Sequence, residues 1–324
     1  MKVIWLVYTV LAILLWSATD LLYKAGVHKE KENYTSLKFS ISVGLVFLLV
    51  ALYFLIVRDE PFSICESAIR FWPMTVFGIL FAIVNTFSFK GYIYNEVSVE
   101  SPVEGIGGGI SVILLIIAYL LLGRVKEIGK LLNPLIIAGV SLILISVILL
   151  AVFRNKEDRK NMVKEKTNRR SRWKIIGLGT LIFPLAFAMI DAVETIVTGL
   201  CLDTTYGFGM PEGDSIIIIG LEYAFFALIF WIFVYIKERK IYQPFRKENL
   251  PRLFAGLANN VGLVFYSFAM AIDSVTSDAI IAVYPVFVMI GGRIFMKEKV
   301  NLAQKICLLA TIAGSVLVCL DELA

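Results

Sequence analysis

Residues 215–236 read SIIIIGLEYAFFALIFWIFVYI, a run of 22 residues whose one charge is Glu222. As a helix this run rises about 33 Å, enough to cross the roughly 30 Å hydrocarbon core of a bilayer. A helix satisfies its own backbone groups in hydrocarbon, and the run lacks the polar–apolar alternation of a barrel strand. Comparable runs lie near 3–23, 39–57, 71–94, 101–122, 131–153, 174–200, 253–272, 276–296 and 302–320. Asp20 and Lys24 stand where a signal-peptide cleavage site would fall, so the first run reads as a span. The sequence predicts an all-α membrane protein of ten transmembrane helices.

Composition agrees. The 324 residues are 59% hydrophobic and 18% charged, against about 45–50% and 25% in soluble domains. A soluble core of this length cannot hide so much apolar surface, so lipid must cover it, and soluble two-domain enzymes are excluded. Cys65, Cys201, Cys307 and Cys319 show no paired spacing, so neither a disulfide framework nor a zinc site is expected. The single histidine, His28, stands in a charged loop and offers no basis for histidine catalysis or a histidine-held metal. No nucleotide-cradling G-x-x-x-x-G-K-[ST] loop, H-E-x-x-H or G-x-S-x-G occurs, so ATP is not the motor and no catalytic residues stand out. No cofactor, no metal and no nucleic-acid partner are expected; the lipid bilayer and a small molecule are.

Lys and Arg favour cytoplasmic loops. The termini and even-numbered connections carry six of them and the odd-numbered connections 25. This bias puts both termini outside the cytoplasm, at the cell membrane, and it rests mainly on 154–174 and 237–252. The stretch Arg154–Lys174 reads as a solvated cytoplasmic linker, the alternative being a contact with anionic lipid headgroups.

The linker at 154–173 divides the chain into 1–153 and 174–324, five spans each. Weak echoes recur between them: Asp20 falls opposite Asp191, Leu37-Lys38-Phe39 opposite Leu221-Glu222-Tyr223, Asn85 opposite Asn259 or Asn260, and Ser98-Val99-Glu100-Ser101 opposite Ser274-Val275-Thr276-Ser277. Five is odd, so a tandem copy enters the membrane upside down and gives two inverted five-helix repeats.

Tyr284-Pro285-Val286-Phe287, followed by Met296-Lys297-Glu298-Lys299, and the opening Leu14-Leu15-Trp16-Ser17 carry a family likeness. On these residues the chain resembles the EamA-like branch of the drug/metabolite transporter superfamily. The resemblance implies five-plus-five topology, cytoplasmic termini and a proline in the fourth span of each half. Here Gly109 replaces the first-half proline, within Gly107-Gly108-Gly109, and the charge bias opposes the family's orientation.

Polar residues inside spans are costly and so become candidates for substrate binding or coupling. Asp20 and Lys24, four apart on one helix face, form either a site or a mutual ion pair. Asp191 and Glu194 lie within one turn; close carboxylates repel when both are charged, which suits a proton carrier or a cation site. Their alternative is pairing with Lys24, Lys90 or Arg293. Glu222 serves coupling or sits wet at the interface. Lys90 lines a path or snorkels. Glu100 and Glu104 lead into Gly105 and the triple glycine, which packs helices closely or breaks span four. Asn259 and Asn260 contact substrate or bond between helices. Tyr284-Pro285 bends span nine, a gating or lining element.

Acidic residues outnumber basic ones within the spans. The reading is a secondary active transporter of a small polar metabolite, amine-bearing and exchanged for protons, working by alternating access. The alternatives are an integral-membrane enzyme or lipid-handling protein using intramembrane carboxylates, and a non-transporting scaffold.

Overall fold

In the computed structural model the described residues are 4–27, 33–58, 63–94, 96–124, 134–164, 172–298 and 301–323, and among them there is no strand. The chain forms α1 (Ile4–Ala25), α2 (Thr35–Val57), α3 (Ile64–Arg70), α4 (Trp72–Tyr94), α5 (Val97–Glu104), α6 (Ile106–Leu121), α7 (Pro134–Lys164), α8 (Arg172–Leu202), α9 (Glu212–Glu238), α10 (Leu250–Ile272), α11 (Ser274–Ile281), α12 (Tyr284–Phe295) and α13 (Leu302–Leu323). A single 3₁₀ turn, Lys247–Asn249, leads into α10.

Among the described residues eight stretches are long and apolar enough to cross a membrane: those built on α1, α2, α4, α5 with α6, α8, α9, α10, and α11 with α12. Shorter apolar stretches, Pro134–Ser146 and Leu302–Gly314, lie in α7 and α13. Large apolar side chains such as Ile56, Phe225, Leu228 and Phe295 face outward. Lipid is the solvent that makes such a surface stable, so this is an integral membrane protein.

The sequence reads single spans at 101–122 and 276–296, with close packing or a break at the glycines of the first and a bend at Tyr284-Pro285 in the second. Each is two helices, broken at Gly105 and at Ala282–Val283. At the second break Pro285 has no N–H to give the Ile281 carbonyl, and Val286 bonds back only three residues to Val283. The breaks meet: a Cβ on Gly105 would lie 2.6 Å from Pro285 Cγ. Two further differences concern the connections. The short α3, capped by Ser63 accepting from the Glu66 N–H at 3.3 Å, was not expected. Helix α7 runs to Lys164, through much of the stretch read as a linker; residues 165–171 of that reading lie outside the described ones.

Packing pairs helices across the two halves: α1 with α10, α2 with α9, α4 with α8, and α7 with α13. The α2–α9 crossing is reciprocal. A Cβ on Gly44 of α2 would meet the Tyr223 carbonyl and Ala227 Cβ of α9 at 2.5 Å. A Cβ on Gly220 of α9 would meet Ala51 Cβ at 2.6 Å and the Phe47 carbonyl at 2.9 Å. Small residues here let two backbones touch. The Phe47 and Tyr223 rings stack between them, centroids 4.3 Å apart and 19° from parallel. This register sets Phe47 against Tyr223, so the echo that placed Phe39 opposite Tyr223 is not the one the packing follows.

Candidate functional site

Where the two breaks meet, the helices enclose a cavity of about 130 Å³. Its wall carries five carboxylates: Asp20 of α1, Glu104 at the end of α5, Asp191 and Glu194 of α8, and Asp278 of α11. Among the described residues no lysine or arginine lines it. Aromatic rings fill much of the remainder, among them Trp16, Tyr23, Phe81, Phe187, Tyr266 and Tyr284, with the amides of Asn85 and Asn259.

Most polar groups of the wall are held by neighbours. Asn85 Nδ2 donates to the Tyr223 hydroxyl at 2.8 Å, and Asn259 Nδ2 to the Tyr23 hydroxyl at 3.2 Å. Trp16 Nε1 donates to the Asn259 carbonyl at 3.2 Å, and Thr198 Oγ1 to Glu194 Oε1 at 2.7 Å. Ser111 donates to Asp278 Oδ2. Asp20 Oδ2 and Glu104 Oε1, on side chains 7% and 3% exposed, accept no hydrogen bond from the described residues. A buried carboxylate oxygen without a donor costs free energy that a bound donor would return.

The candidates from sequence divide. Asp20, Asp191, Glu194, Asn259, Tyr284 and Gly108 line the cavity. Lys24 does not: its ammonium donates to the Tyr92 carbonyl at 2.8 Å, in a groove shared with Glu96 and Glu298. Asp20 and Lys24, read from sequence as either a site or a mutual ion pair, are not joined by either of the ion pairs described. Lys90 lies 4.7 Å from the centre of the Phe183 ring. Glu222 is turned toward α4, where its carboxylate lies against Gly78, and Asn260 is buried off the cavity. Gly107 lies against the Ala188 backbone and Gly109 against Leu144, so both glycines serve close packing while Pro285 meets the break at Gly105.

Two cavity carboxylates escaped the sequence reading. Glu104 was paired with Glu100 as a lead-in to span four, and Asp278 was passed over. Their signal was present: each is an acid within the first two turns of an apolar run that contains glycine or proline.

Polar contacts tie helix ends together on both sides of the cavity. On one side Asp203 Oδ2 accepts from the Ser274 hydroxyl at 2.6 Å, and Tyr119 donates to the Gly199 carbonyl at 3.1 Å. On the other, the Val97 N–H donates to Glu298 Oε1 at 3.1 Å.

Comparison with known proteins bears on the whole arrangement. Residues 205–320 match the EamA-like transporter family. The likeness read from Tyr284-Pro285 and Met296–Lys299 falls inside that match. No curated protein sequence matches the chain. Among solved structures 27 chains match, including a crystal structure with a TM-score of 0.63 over 99% of this chain and 98% of its own, at 17% identity. That likeness is one of fold.

Proposed function

We propose that this membrane protein, whose residues 205–320 match the EamA-like transporter family, moves a small amine-bearing metabolite across the membrane in exchange for protons. It acts as a secondary transporter and not as an enzyme. The observation that carries the reading is the cavity itself: five carboxylates and, among the described residues, no lysine or arginine in its wall. Five negative charges walled by rings and aliphatic side chains are costly unless something positive joins them. Protons and an ammonium substrate are interchangeable solutions, and taking one for the other is coupling.

Alternating access follows from two inverted halves, 1–153 and 174–324, joined through 154–173. Taking the shorter apolar helices within α7 and α13 as the fifth and tenth spans makes ten. The helix pairing supports this plan. Exchanging the halves turns the α1–α10 contact into the α4–α8 contact and returns α2–α9 and α7–α13 to themselves, as a two-fold axis in the membrane plane requires. The two broken spans are the fourth and ninth, which are equivalent in that plan. The cell membrane is the proposed location, with the termini outside.

Reconstitution into liposomes tests the function. An imposed pH gradient, acidic inside, should drive uptake of primary amines against their gradient. Asp191→Asn and Glu194→Gln should each lower the rate by about tenfold or more and flatten its pH dependence, by the loss of a charge-assisted contact. Unchanged rate and pH dependence in both variants would remove the coupling role from this site.

A further inference from the structure

The carboxylates are not spread evenly. Asp20 and Glu104 are electrostatic neighbours of each other and of Tyr284. Asp191 has Glu194 and Asp278 as its neighbours and is also near Glu104 and Tyr284, so it stands between the two groups. Six residues separate Asp278 from Tyr284 along α11 and α12, about 9 Å of helical rise. The lining of α10 runs from Asn259 to Tyr266 and that of α4 from Phe81 to Ser88, each about 10 Å. The lining thus extends about 10 Å along the helices, with Asp20 and Glu104 toward Tyr284, Glu194 and Asp278 toward the other end, and Asp191 between them. Trp16, Phe81, Phe187, Ile219 and Leu263 wall the space.

Among the described residues no three acidic, cysteine or histidine side chains gather closely enough to cage a metal ion. The negative charge is arranged for an extended cation. A zwitterionic amino acid would bring a carboxylate into a wall that, among the described residues, holds no lysine or arginine to receive it.

Resting on the transporter reading, we infer that the cavity takes a linear aliphatic diamine, with one ammonium at each pole. At one pole the buried Asp20 Oδ2 and Glu104 Oε1 lack donors, which an ammonium supplies. At the other, Glu194 and Asp278 are already oriented by Thr198 and Ser111 and keep acceptor capacity for a second ammonium. An extended chain advances roughly 1.25 Å per bond, so 1,5-diaminopentane sets its nitrogens about 7.5 Å apart, and each ammonium reaches a carboxylate oxygen about 2.8 Å beyond. Methylenes then face the rings and aliphatic side chains between.

Thermal stabilisation of the purified protein by 1,5-diaminopentane, 1-aminopentane and 1,5-pentanediol tests the inference. The diamine should bind about tenfold or more tighter than the monoamine, from its second charge-assisted contact, and the diol should not bind. Glu104→Gln and Asp278→Asn should each cut the advantage to below about threefold while monoamine binding persists. Equal affinity of monoamine and diamine for the unmodified protein overturns the two-pole inference, and that comparison needs no variant to fold. If the monoamine is nonetheless carried in liposomes, the transporter reading stands without the inference. If no amine binds and none is carried, both fall.

Discussion

Asp278 shows how one residue can be set by a neighbour 167 residues away in sequence. Its carboxylate lines the cavity at 2% exposure and takes a hydrogen bond from Ser111 of α6. Removing that hydroxyl leaves a buried carboxylate short of a donor, a loss of about 1.5–3 kcal/mol for a bond to a charged group. Ser111→Ala should therefore lower the melting temperature and weaken amine binding together, and Ser111→Thr should restore both. Lowered stability with unaltered amine affinity would show Ser111 to be a packing residue only. Asp191 and Glu194 were legible in the sequence because they lie deep in an apolar run with no basic residue nearby. Asp278 was not, because an acid one turn into a continuous span reads as interfacial. Only the break at Ala282–Val283, which brings the end of a short helix to the cavity, gives that position its depth.

Helix lengths and their apolar character could be read from hydropathy; the glycines of span four and Tyr284-Pro285 pointed to interruptions without fixing where each helix ends. Gly105, Ala282 and Val283 all keep right-handed helical angles, so neither break needs a residue that announces a turn. The crossing of α2 and α9 was hidden for another reason: Gly44 and Gly220 look like ordinary span glycines until the partner helix is known. There the contacts are with backbone, which cannot swing aside as a side chain can. Gly44→Val and Gly220→Val should each force the helices apart and cost about 1–3 kcal/mol. Gly213→Ala, where a Cβ would stand 3.7 Å from Phe54, should be tolerated. Thermal unfolding in detergent checks all three. Because the crossing is reciprocal, the two valine variants should be similarly damaging, and a large loss in one with none in the other would contradict a two-fold contact.

The whole molecule has a direction in the membrane, and two lines of argument oppose each other there. The family resemblance implies cytoplasmic termini. The charge distribution, 25 Lys and Arg on one side against six on the other, implies termini outside. The structure gathers the C-terminal end of α1, the N-terminal end of α2 and the C-terminal end of α9 at the basic side, where Lys38 pairs with Glu238 at 2.9 Å and Arg252 donates to the Gly26 carbonyl at 3.1 Å. The opposite side carries α3, the Arg58–Asp214 pair at 2.8 Å and the exposed Cys65. Among the described cysteines Cys201 and Cys307 are buried, so in a Cys319→Ser background Cys65 is a reporter of sidedness. If the charge bias rules, a membrane-impermeant maleimide added to intact cells should label this Cys319→Ser protein, and Cys65→Ser should abolish the label. Lys240→Cys added to the Cys65→Ser and Cys319→Ser changes should then react only after the membrane is opened. The reverse pattern would mean that the basic loops face outward, and that the family's orientation prevails over an imbalance of 25 to six. Either result also fixes which acidic pole a substrate meets first: Asp20 and Glu104 stand nearer the basic side, so with that side cytoplasmic they would receive cargo leaving the cell.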